Sequence, residues 1–190
     1  MRIPEARGAQ RRIGVAVPVP EPFAEHLQRV RAELGDPLAL FIPPHVTLVP
    51  PTAVAPERLP DVTAHLAEVA AAHEPFVLEL TGTASFRPVS PVVFVRVVRG
   101  AEACCSLEAA ARTGVLAQDL RFTYHPHVTI AHDLDDGALD HAEAAMADFA
   151  ATFIVDRFAL FEHGSDGVWR VVRDLSLTGA AVRERDLRAH

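Results

Sequence analysis

Apolar and polar positions along the 190-residue chain change period several times, and each change predicts an element. Ile13 to Val19 is a valine-rich run that predicts a first strand, and Glu21 to Leu34 carries the wider helical spacing, stopped by Gly35. Pro43 and Pro44 introduce His45-Val46-Thr47-Leu48-Val49, a β-branched run closed by Pro50 and Pro51, because proline is tolerated at strand ends but not within a central ladder. The alanine-rich stretch from Pro56 to His73 predicts a helix, followed by strands at Phe76 to Leu80 and Pro91 to Val98. A helix is expected from Ala101 to about Gln118. Beyond Tyr124 come a strand at Val128 to Ala131, a helix from Asp136 to about Phe149, and strands at Phe153 to Leu160 and Val168 to Leu175.

The second half repeats the plan of the first. Pro44-His45-Val46-Thr47-Leu48 matches Pro126-His127-Val128-Thr129-Ile130 at four of five positions, with Leu exchanged for Ile at the fifth. Each pentad is followed by a helix and then by a Phe-led strand, Phe76-Val77-Leu78-Glu79 or Phe153-Ile154-Val155-Asp156. The expected fold class is α+β, as a duplicated bilobal fold. Two antiparallel sheets related by a pseudo-twofold axis would face a central cleft, with helices outside. Residues 1–190 are expected to form a single domain of this kind, its strand-helix repeats lying around 44–98 and 126–175.

Side chains alternate across a strand, so His45 and Thr47 share one face while Val46 and Leu48 share the other. The same holds for His127 and Thr129 against Val128 and Ile130. Each repeat thus offers one imidazole and one hydroxyl together. Two imidazoles on one phosphodiester can divide proton transfer, one taking a proton from the attacking oxygen while the other gives one to the leaving oxygen. Hydroxyl donors aimed at the non-bridging oxygens stabilise the charge that develops there. A single His-x-Thr would be weak evidence in a chain with 10 histidines, but two copies inside matching pentads are not.

Composition narrows the substrate. The formal charge is -7, and an acidic surface disfavours extended duplex nucleic acid, while a cleft gripping one or two phosphates stays compatible with it. All 18 basic residues are arginine, so a lysine nucleophile of the nucleotidyl-transferase kind is excluded. Cys104 and Cys105 are adjacent, which suits neither an ordinary disulfide nor a spaced zinc site, and they are expected on a helix face or in the core. No apolar run is long enough to span a bilayer and the first residues lack a secretory h-region, so a cytoplasmic location is expected, with no membrane partner.

The segments Pro-Pro-His45-Val-Thr47-Leu and Tyr124-His-Pro-His127-Val-Thr129-Ile resemble the two-histidine (2H) phosphoesterases, which include bacterial proteins named as 2',5' RNA ligases or RNA 2',3'-cyclic phosphodiesterases. The resemblance covers most of the chain. It implies a bilobal α+β fold, no metal or other cofactor, and chemistry on 2',3'-cyclic or 2',5' phosphodiester linkages of RNA ends or small nucleotides, reversible as ligation. His45, Thr47, His127 and Thr129 are the expected catalytic residues. A small cyclic nucleotide or an RNA terminus is the expected partner of a monomer.

Further residues are weighed around that centre. Tyr124, the one tyrosine, is placed to contact a phosphate or stack on a base, or else to pack its ring at a strand end. Arg87 and Arg121 are candidate phosphate clamps, or solvated surface arginines. Phe41, Phe86 and Phe122 could form a base-stacking wall, though such phenylalanines more often serve a core. Trp169 is expected to pack in the last strand. His125, His127, His132 and Asp133 raise a metal-binding alternative, which strand parity and the missing thiol or carboxylate ligand spacing count against. A nucleotide-binding module without catalysis is the other alternative, and two intact His-x-Thr pairs argue against it.

Overall fold

The computed structural model describes residues 9–180. Among the described residues eight strands and four α-helices follow one another as β1 (Arg11–Pro18), α1 (Phe23–Glu33), β2 (His45–Val54), α2 (Leu59–Ala72), β3 (Phe76–Ser85), β4 (Val92–Arg99), α3 (Ala101–Ala111), β5 (His127–His132), α4 (Asp136–Ala145), β6 (Ala150–Val155), β7 (Arg157–His163) and β8 (Trp169–Ser176). The α+β class expected from the sequence is therefore present. The two separate sheets are not. All eight strands join one curled antiparallel sheet in the order β6-β3-β4-β5-β2-β1-β7-β8. Val46 on β2 pairs with Val128 on β5, and that single pair closes what would otherwise be a gap between two four-stranded sheets.

The Phe-led strands also take places that the repeat did not predict. β3 and β6 pair with each other, Phe76 opposite Val155 and Leu78 opposite Phe153, on the same side of the sheet. The chain reaches this arrangement by breaking the strand expected over Phe153 to Leu160. At Asp156 it leaves β6, at one edge of the sheet, and enters β7, which lies beside β1 on the far side. Apolar residues run through the junction on both sides, so hydrophobic period alone does not reveal the break.

One face of the sheet carries the main core. Val15, Val17, Val46, Leu48, Val128 and Ile130 pack there against Leu27 of α1, Val62 and Leu66 of α2, Leu107 of α3 and Leu139 of α4. Burying these side chains contributes roughly 1.5 to 3 kcal/mol each before entropy opposes it. The helix stripes follow the expected spacing, as in Val62, Leu66, Val69 and Ala70. α4 starts on Asp135, whose carboxylate accepts the Ala138 N–H at 2.9 Å. Cys104 lies in the core and Cys105 outside it, both on α3 as expected; burial pushes the Cys104 thiol up to about 12.

Strand β2 continues through Pro50 and Pro51 to Val54, although two prolines were expected to end it. Its register against β1 shows how. Val49 pairs with Val15 and Thr52 with Ile13, so Pro50 and Pro51 together oppose the single residue Gly14 in a bulge. A bulge needs no ladder donor at those positions, which removes the objection to proline.

Candidate active site

The helix-free face of the sheet holds the two motifs. Val46 and Val128 are fully buried on the core side, so their neighbours His45, Thr47, His127 and Thr129 all turn to the opposite face, where each is half-buried. The antiparallel register fixes which groups meet. With Val46 opposite Val128, one step along each strand directs His45 towards Thr129 and Thr47 towards His127. Each imidazole thus faces the other repeat's hydroxyl. The flanking strands add Ala16 opposite Thr47, Phe94 opposite Thr129 and Arg96 opposite His127.

Both imidazoles are anchored in the same way. His45 Nδ1 lies 2.7 Å from the Pro43 carbonyl oxygen, and His127 Nδ1 lies 2.6 Å from that of His125. A carbonyl only accepts, so each Nδ1 carries the proton and donates. Each Nε2 is left as the basic nitrogen, and no hydrogen bond among the described residues uses it. The X-Pro-His order positions these acceptors, since the residue before proline is held extended and points its carbonyl back at the ring two positions on.

Burial lowers the pKa of both histidines. His127 is pushed down to about 4, chiefly by desolvation, with the neighbouring His125 and His45 rings adding to the shift and the His125 carbonyl opposing it. His45 is lowered too, again by desolvation first and then by the Arg31 guanidinium, against the Pro43 carbonyl. Both rings are therefore neutral at pH 7 in the unliganded protein. The walls account for the desolvation. Phe86 and Phe94 hold their ring centroids 4.9 and 5.1 Å from His127, and Phe161 lies 6.4 Å from His45.

On the β1 side the site opens into a pocket that reaches from His45 and Thr47 to Ile42, Pro43, Phe161 and Trp169. Ala16, Ala159, Phe161 and Trp169, with Ile42 against them, form a small apolar cluster beneath it. The segment carrying Ile42 and Pro43 is held by a buried ion pair. Arg31 on α1 reaches Asp36 at 2.9 Å and donates to the Ile42 carbonyl at 2.6 Å. Sequence reasoning missed this pair, although an arginine four residues after Leu27, on the apolar stripe of α1, was the available signal.

Three residues singled out for substrate contact have other partners. Tyr124 packs its ring against the main core and donates its hydroxyl to the Thr47 carbonyl at 2.8 Å, so the phenol supports the opposite motif. Arg87 is drawn to α4, where it meets Asp140 at 2.8 Å, Glu143 at 3.1 Å and Asp136 at 3.7 Å, so three carboxylates compensate its charge. Phe41 sits at the rim, one residue before the lining Ile42, and its carbonyl accepts the Trp169 N–H at 2.9 Å. Phe86, by contrast, does join the site, as a wall of His127 and not as an exposed stacking platform. Arg121 stays over its neighbour Phe122 with its Cζ 5.0 Å from the ring centroid. Among the described residues no three His, Cys, Asp or Glu side chains converge as a ligand set, and His132 instead pairs with Asp133 at 3.1 Å.

With this geometry in hand, comparison with known proteins is specific. The model of the 2'-5' RNA ligase superfamily matches residues 19–167. A Bacillus licheniformis protein bearing the name phosphoesterase is 31% identical over 140 residues, 72% of this chain and 81% of its own length. A Bacillus mycoides protein of the same name is 31% identical over 72% of this chain and 80% of its own length. The crystal structure of TT0787 of Thermus thermophilus, 25% identical, aligns over 88% of this chain and 98% of its own with a TM-score of 0.59. That of Escherichia coli LigT complexed with 3'-AMP aligns over 90% and 99% with a TM-score of 0.65 and 19% identity, a likeness of fold.

Proposed function

We propose, from the premise that the chain belongs to the 2'-5' RNA ligase superfamily and is an enzyme of phosphoesterase type, that it opens 2',3'-cyclic or 2',5' phosphodiester linkages by two-histidine acid-base catalysis. The observation that carries this reading is the matched anchoring of His45 and His127. Each Nδ1 is tied to a carbonyl, and two basic Nε2 atoms remain on one face of the sheet.

In the hydrolytic direction one imidazole takes a proton from water as its oxygen attacks phosphorus. The P–O bond to one ribose oxygen breaks, and the other imidazole, protonated, gives its proton to that oxygen. The product is a phosphomonoester next to a free hydroxyl. Ligation uses the same two roles, which two like-anchored imidazoles suit, with a 5'-hydroxyl in place of water: one imidazole takes the hydroxyl proton as its oxygen attacks the cyclic phosphate, and the other protonates the departing 3' oxygen, leaving a 2',5' linkage. Lowered pKa values leave the free site short of the required imidazolium. A bound phosphodiester anion supplies the missing influence, because a negative charge beside an imidazole favours its protonated form. Thr47 and Thr129 donate to the non-bridging oxygens.

The substrates we propose are small cyclic nucleotides or RNA termini. Structures of the fold relative LigT with 3'-AMP, ATP and NADP+ support this choice. The test is release of a nucleoside monophosphate from 2',3'-cyclic nucleotides, and cleavage of a 2',5'-linked dinucleotide, by purified protein in excess chelator. Turnover in chelator is expected. Activity abolished by prolonged chelation and restored by zinc alone would overturn the metal-independent mechanism.

A further inference from the structure

The Phe86 ring that walls His127 is not held by the core. Phe86 lies one residue past β3, half-buried, and belongs neither to the main core nor to the apolar cluster around Trp169. Its ring centroid lies 4.3 Å from Phe94, 4.9 Å from His127 and 5.6 Å from His125, and its plane stands nearly perpendicular to both imidazoles. Packing on one neighbouring phenyl ring restrains a loop residue weakly, because a side-chain rotamer and a turn must both be ordered to keep it there.

The next residue supplies the missing restraint. Successive side chains of an extended segment point to opposite faces, so while Phe86 turns to the catalytic face, Arg87 turns to the helix face. There its guanidinium meets Asp136, Asp140 and Glu143, which stand on successive turns along one side of α4. Its Nε also donates to Ser85 Oγ at 3.1 Å. α4 is itself fixed to the sheet by Leu139 and Ala142 in the main core. A single exposed ion pair positions little, but three carboxylates around one planar guanidinium set its direction. The Phe86-Arg87 dipeptide thus straddles the end of the sheet, with a charged side chain held on one face and an aromatic one on the other.

We propose that Arg87 is a positioning residue for the reaction: its ion pairs with α4 hold Phe86 against His127 and thereby keep water from that imidazole. This rests on the phosphoesterase reading for the role of His127. Burial is the first cause of the lowered His127 pKa, and Phe86 and Phe94 supply the apolar walls. The charged and titratable groups around His127 are His125 on its own segment, His45 on β2 and Arg96 opposite it on β4. None of them is carried by α4. The acidic side of that helix therefore reaches His127 in two ways, through the position of Phe86 and through charge at a distance, and the two have opposite signs. Neutralising carboxylates lowers the pKa of an imidazole by charge alone, whereas releasing Phe86 admits water and raises it.

The test is the titration of His127 in the full chain, followed by NMR of isotope-labelled imidazoles, its signal assigned by its loss in His127→Asn. In the double variant Asp140→Asn/Glu143→Gln, altered on the surface of α4, the midpoint is expected to rise from about 4 by about half a pH unit or more, a roughly threefold change in the ionisation constant. The acid limb of kcat/KM on a 2',3'-cyclic nucleotide should move in the same direction. In Phe86→Ala, which has no ring to release, the same two substitutions should instead lower the midpoint. A general loss of stability would lower the melting temperature and leave the midpoint in place. A midpoint unchanged or lowered in the double variant would overturn the proposal, and so would an equal rise in the Phe86→Ala background. The NMR readout does not depend on turnover. A raised midpoint in a protein that hydrolyses no cyclic phosphate would overturn the phosphoesterase reading and leave the coupling of α4 to His127 standing.

Discussion

The Tyr124 hydroxyl donates to the main-chain carbonyl of Thr47 at 2.8 Å, tying the segment that leads into one His-x-Thr strand to the backbone of the other. Burial holds the phenol well above its ordinary pKa, so it remains a donor throughout the working pH range. Tyr124→Phe removes that donor and leaves a partly buried carbonyl short of a partner, which costs about 1 to 3 kcal/mol. The expected result is a lower melting temperature together with a lower kcat. Thermal denaturation and steady-state kinetics check it, and a variant matching the wild type in both would refute the positioning role.

His45→Ala and His127→Ala are each expected to reduce turnover by roughly 100-fold or more, because each removes one proton transfer. The double variant should lose much less than the product of the single losses, since both groups act in one step. Single-turnover rates on a 2',3'-cyclic nucleotide test this. Either single variant close to the wild-type rate would remove that histidine from the reaction.

The two depressed imidazoles predict where activity peaks. Catalysis needs one ring neutral and one protonated, so kcat/KM is bell-shaped, and its limbs belong to the pair and not to either residue. With His127 held at about 4 and His45 also below the ordinary value, the maximum of kcat/KM should lie on the acid side of pH 6.5. The kcat profile, which reports the substrate complex, should sit at higher pH because the bound anion raises both groups. A kcat/KM profile flat from pH 5 to 9, with chemistry limiting, would contradict the mechanism.

Stability should also depend on pH, with a sign fixed by the same shift. Between about 4 and 6.5 the unfolded chain binds a proton at His127 that the folded chain does not, so stability rises with pH through that window and is lost on acidification. Burial lowers His45 as well, in the same direction. Urea midpoints measured across the window should increase with pH, and His127→Asn should flatten the slope. An unchanged slope in that variant would mean that His127 is not the group responsible.

Recognition of small substrates predicts a weak response to salt. Each phosphate neutralised on a single strand adds about 0.7 to the slope of log K against log salt, so a footprint of one or two phosphates gives a shallow slope. Binding of a short fragment, a longer single strand and a duplex should be titrated across a salt series. Tight duplex binding with a slope steeper than about four would point to a long basic track and rule out the small-substrate reading.

Much of this arrangement was legible in the chain. The repeated pentad gave both motif strands, the face each side chain takes and the apolar backing of Val46, Leu48, Val128 and Ile130, because period-two alternation is local. What escaped depends on distant pairing. Pro50 and Pro51 stay in β2 only because Gly14 opposes them both in a bulge. The run from Phe153 to Leu160 divides at Asp156 because β3 and β1, on opposite sides of the sheet, claim its two parts. Arg87 looked available until α4 placed three carboxylates around it. The carbonyl anchors of His45 and His127 were a missed opportunity, since two X-Pro-His tripeptides stood in plain view.

The pairing of Val46 with Val128 is the one register pair between β2 and β5, whereas five pairs tie β4 to β5. Mechanically, the sheet is least stiff along the line where the two imidazoles stand. The spacing of the reacting groups is therefore governed by the methyl groups wedged beneath that line, and a cavity opened there would loosen the catalytic pair like a worn hinge pin while leaving every group that touches the phosphate in place.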